Sequence, residues 1–100
     1  MKPYRIDGDT LHFEVSNADF DQLSIQIEEA ISFLQRYKTD LEVLMALPGV
    51  SGVLDFAVAN RHLPAQFGRL SPELVCRAGK AGLGLELSLY SIQEGEGAEA

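Results

Sequence analysis

One hundred residues with a single cysteine, Cys76, form one domain large enough to bury a core without a disulfide framework or a cysteine-based zinc site. Against 8 basic residues stand 15 acidic ones, and the net charge of −7 argues against nucleic acid or an anionic membrane as a partner. No apolar run approaches the roughly 18 residues of a membrane helix, and Met1-Lys2-Pro3-Tyr4-Arg5 does not lead into a signal-peptide core, so the expectation is a soluble cytoplasmic protein.

The first element read from the sequence is a hairpin. Matching Ile6 to Leu11 and Tyr4 to Phe13 places apolar residues opposite each other and leaves Gly8-Asp9 at the centre of the turn. Glycine in the first central position suits a type II′ turn. Asn17 and Asp19 are candidate N-caps for a helix whose apolar stripe is Phe20, Leu23, Ile27, Ala30, Ile31 and Leu34, with Asp21, Gln22, Gln26, Glu28, Glu29 and Gln35 on the opposite side. Thr39-Asp40-Leu41-Glu42 has the form of a capping box and starts a short apolar helical stretch that Pro48-Gly49 ends. Whether residues 19–47 form one kinked helix or two stays open at this point.

A third strand runs from about Val50 to Val58, and residues 60–70, with Pro64 and Gly68, read as a loop. Ser71-Pro72-Glu73 supplies an N-cap, a proline for the first helical position and an acid for the first turn. The helix it starts carries Leu74, Val75 and Ala78, with Cys76 read as a small buried hydrophobe. Gly79 to Gly84 stop that helix. Leu83, Leu85, Leu87 and Leu89 then alternate with Gly84, Glu86, Ser88 and Tyr90, the period of a strand with one buried face. The order ββααβαβ predicts an α+β two-layer sandwich, a mixed four-stranded sheet with helices on one face. Residues 1–92 make the domain, and the acidic residues 93–100 read as a disordered tail.

Candidate chemistry is sparse. His12 and Glu14 share the non-core face of one strand and Asp55 the matching face of another, so together they are the candidate metal or acid–base group. No second histidine has a spacing that completes a ligand set, and no cofactor is implied. The glycine-rich run at residues 79–84 follows a helix and precedes a strand, the reverse of a phosphate-binding loop. Two surfaces point instead to protein contact. Val53, Ala57, Tyr90 and Ile92 lie among charges on the open sheet face, which suits a partner or a two-fold homodimer. Arg61, His62, Phe67 and Arg69 lie on an irregular loop long enough to be functional. Leu63 and Phe67 either dock into a partner or, as the preferred expectation, tuck that loop onto the core. Arg61, Arg69, Arg77 and Lys80 face only Glu73 between residues 59 and 81, a local +3 against the acidic remainder.

Leu54-Asp55-Phe56, Leu70-Ser71-Pro72-Glu73-Leu74 and Gly84-Leu85-Glu86-Leu87-Ser88-Leu89-Tyr90 together resemble small bacterial domains of unknown function, in which a strand, a Ser-Pro-Glu helix start and a final alternating strand follow one another. Some proteins of this kind accompany toxin and immunity loci. The resemblance covers roughly residues 11–91, implies a partner-binding role and brings no catalytic residues. The expectation is therefore a non-catalytic interaction or immunity-type domain. The alternatives are a small metal-binding or acid–base enzyme using the polar sheet face, and a self-associating structural domain.

Overall fold

The computed structural model describes residues 1–91; the expected acidic tail lies outside them. Seven elements follow in the expected order: β1 (Arg5–Asp7), β2 (Thr10–His12), α1 (Leu23–Arg36), α2 (Lys38–Met45), β3 (Gly52–Asn60), α3 (Pro72–Lys80) and β4 (Leu83–Ser91). The fold is α+β. Its strands do not merge into one four-stranded mixed sheet, however. β1 and β2 form an antiparallel hairpin, and β3 and β4 form a separate parallel pair.

The hairpin has the expected register, Ile6 opposite Leu11 and Asp7 opposite Thr10. Gly8 takes φ +57° while Asp9 stays at negative φ, the sign pattern of a type II′ rather than a type I′ turn. Its apolar face is not buried. Tyr4, Ile6 and Leu11 are all exposed. The outer edge of β3 is not open to the hairpin. The backbone carbonyl of Phe20 accepts from Ala59 N–H, and the Gln26 side chain donates to the Ala57 carbonyl at 2.9 Å. That edge is already taken.

The segment holding this position replaces the expected start of α1. Gln22 N–H donates to the Asp19 carbonyl and Asp19 N–H to Gln22 Oε1, a closed turn that defers the helix to Leu23. Neither Asn17 nor Asp19 caps it, and Phe20 lies before it, half-exposed. Ser16 ties the segment to the helix through a hydroxyl bond to Glu29 and accepts from Ala18 N–H. α1 then buries Gln26, Ile27, Ala30 and Leu34. Gln26, placed by its polarity on the outer side, is in fact a core residue.

Two helices occupy residues 23–45, joined at Tyr37, which ends one and caps the other. The capping box at Thr39 does not form, because α2 already begins at Lys38 and no side chain bonds its first turn. α3 starts as expected: Ser71 Oγ accepts from Leu74 N–H at 3.2 Å, with Pro72 in the first turn. It buries only Leu74 and Ala78; Val75 and Cys76 are exposed, contrary to expectation. Nine residues of helix offer one narrow stripe to the core.

The core joins Ile27, Ala30, Leu34, Leu41, Leu54, Phe56, Leu74 and Ala78, so α1, α2 and α3 pack on one face of the β3–β4 ladder. Leu83 and Leu85 border it. Leu87 and Leu89, in the same alternating stripe, do not: they are 46% and 61% exposed. No helix among the described residues is long and apolar enough to cross a membrane.

Candidate interaction surface

The polar residues that sequence grouped as a candidate metal or acid–base site are dispersed by the two-sheet arrangement. His12 Nε2 lies 3.1 Å from Asp7 and 3.3 Å from an Arg5 guanidinium nitrogen, across the hairpin. Glu14 lines an open groove of about 470 Å³ with Lys2, Phe13, Glu29, Arg36 and Tyr37. Asp55 accepts a 2.7 Å bond from the Ser88 hydroxyl on the neighbouring strand. Among the described residues no three His, Cys, Asp or Glu side chains are grouped to hold a metal ion. His12 thus lies on the hairpin, Glu14 just after it and Asp55 on the separate β3–β4 ladder.

The loop after β3 is organised differently. The Gln66 side chain accepts from Arg61 N–H at 2.9 Å and donates to the Ala59 carbonyl at 2.6 Å, bridging the loop's root and its middle. Asn60 Oδ1 accepts from His62 N–H at 3.0 Å and holds His62 at φ +56°, a left-handed conformation that costs a non-glycine residue roughly 1 kcal/mol. At Gly68 the chain passes so close to α1 that a Cβ would meet Leu23 Cδ2 at 2.7 Å. Arg61 also approaches Asp21, at 3.9 Å.

These attachments fix the residues on both sides of Phe67. Its ring is 92% exposed, and Leu63 is 60% exposed. Neither tucks onto the core. The backbone on either side of the ring is held by the Gln66 bridge and by the close passage of Gly68 past Leu23. Arg69 and His62 are exposed on the same loop. Tyr90 adjoins its root: it lies opposite Ala59 in the ladder and stacks on Phe20 with ring centroids 5.0 Å apart. Ala59 is buried as a result.

No family model matches the chain, and neither does any curated protein or solved structure.

Arg61 and His62 directly follow β3, Tyr90 lies opposite Ala59 at the same end and Gln66 ties its neighbour Phe67 to it, whereas Val53 lies at the other end of β3, exposed. Sequence reasoning missed Gln66, Gln26 and Phe20, the residues that hold this end of the ladder. A lone glutamine in a loop has no periodic or motif signal. Gln26 had one, in its four-residue steps to Ala30 and Leu34, but its polarity outweighed its angle.

Proposed function

We propose that this chain is a non-catalytic protein-binding domain of the interaction or immunity type, and that the loop at residues 61–70 carries its contact surface. Phe67 is the observation that supports this most directly. A fully displayed aromatic ring on a braced loop is costly to keep in water, and aromatic residues with neighbouring arginines are the usual anchors of protein interfaces. Leu63 widens the apolar contact; Arg61, His62 and Arg69 supply donors for a carboxylate or backbone carbonyl at its rim. Bracing before binding lowers the ordering cost that a floppy loop would add.

A photo-crosslinking amino acid at position 67, introduced in the native host, tests the reading. It should give one discrete protein adduct that is absent when the same probe stands at Glu42 on the exposed side of α2. Phe67→Ala should abolish the adduct formed from position 63 while leaving the melting temperature of the purified protein unchanged. No adduct, or the same adducts from both positions, would refute the assignment. A lowered melting temperature would mean that the ring serves the fold.

A further inference from the structure

We infer that the outer edge of β4 pairs antiparallel with β4 of a second copy of this chain, about a two-fold axis at Leu87, to give a four-stranded sheet in the order β3-β4-β4-β3. The inference is independent of the loop's role, because the loop is rooted on β3, at the opposite edge of the ladder.

The two edges of the ladder differ. On β3, the Ala57 carbonyl, the Ala59 N–H and the Ala59 carbonyl bond to Gln26, Phe20 and Gln66, so odd-numbered residues face outward. Even-numbered residues of β3 therefore bond β4. With Leu54 opposite Leu85, and a parallel ladder bonding each residue to the two neighbours of its opposite number, the bonded residues of β4 are even-numbered. That leaves the backbone groups of Leu83, Leu85, Leu87, Leu89 and Ser91 on the outer edge. None of them bonds another described residue there.

Edges of this kind are normally blunted by lysine, proline, a bulge or short length. β4 has none of these. It is nine residues long and carries a single charge, Glu86. An isolated two-stranded parallel ladder is also unusual, since parallel sheets are normally wider and covered.

A second copy fits this edge in one register better than in its neighbours. Centring on Leu87 pairs all nine residues and sets outward-facing backbone opposite outward-facing backbone. On the helix-bearing face it matches Leu85 with Leu89 of the second copy and Leu87 with the second copy's Leu87, which covers the two exposed leucines. On the other face Glu86 meets Ser88, and Gly84 meets Tyr90. Moving the axis to Glu86 would put two carboxylates opposite each other. Moving it to Ser88 would leave Leu83 beyond the paired residues and set Leu85 against Ser91.

Light scattering on the purified full chain tests this, with twice the chain mass of 10.9 kDa expected. Leu87→Lys should give a monomer with an unchanged far-ultraviolet spectrum, and Phe67→Ala should leave the dimer intact. In a Cys76→Ser background, Leu87→Cys should form a disulfide-linked dimer under mild oxidation, whereas Leu83→Cys should not. A wild-type monomer at millimolar concentration overturns the inference. So does a Leu87→Lys protein that still dimerises, or equal cross-linking from positions 83 and 87. Dimerisation only after removal of residues 92–100 would assign the edge to the chain's own C-terminal residues.

Discussion

Gln26 is 6% exposed, and its side-chain nitrogen donates at 2.9 Å to both the Asp19 and the Ala57 carbonyls. One amide thereby holds the turn before α1 to the edge of β3. Gln26→Leu would keep most of the volume and leave both carbonyls without that partner. We expect a loss of about 1–3 kcal/mol, the cost of orphaning buried polar groups, read as a lower urea midpoint. Glu28→Ala, two positions along on the exposed side of the same helix, should change stability by less than about 0.5 kcal/mol. The four-residue spacing of Gln26 to Ala30 and Leu34 carried its place on the buried arc, but its polarity put it on the opposite side in the sequence reading. Its bonding partners were not legible, because one is 31 residues away and belongs to an edge that pattern alone does not locate.

Elements defined by local chemistry were legible, and elements ended by tertiary contacts were not. The hairpin register follows from pairing Ile6 with Leu11, and the turn from glycine's tolerance of positive φ. Ser71-Pro72 starts α3 because a hydroxyl acceptor and a residue without an N–H both suit a helix N-terminus. At Asn17, Asp19 and Thr39 the same kind of signal was present but idle. Phe20 is held at the β3 edge, so α1 cannot begin earlier, and Tyr37 starts α2 before Thr39 can cap it. Ser71→Ala should therefore lower stability by about 0.5–2 kcal/mol, whereas Asn17→Ala and Thr39→Ala, whose side chains cap nothing, should stay close to wild type. Thermal denaturation of the three variants side by side separates a cap that forms from caps that only appear in the sequence.

At the scale of the molecule, apolar residues are divided between a small core and an unusually exposed remainder. Among the described residues, Leu74 alone combines large size with complete burial, while Leu87, Leu89, Leu63 and Phe67 all face water. The alternation along β4 was legible as a strand with one apolar face. It did not reveal that three helices cover only Leu83 and Leu85, because helix position over a sheet depends on where the connections run. The exposed half of the stripe and the backbone groups without a partner among the described residues belong to the same odd-numbered residues, and amide hydrogen exchange can read them separately from the even-numbered ones. The Glu86 and Ser88 N–H groups bond within the chain and should exchange slowly at any protein concentration. Those of Leu85, Leu87 and Leu89 are protected only by a second copy and should exchange slowly in concentrated solution and quickly on dilution. In Leu87→Lys they should exchange quickly throughout. A period of two in protection that appears on dilution would place the contact at this edge; protection independent of concentration for both sets would mean that the edge is covered from within the chain.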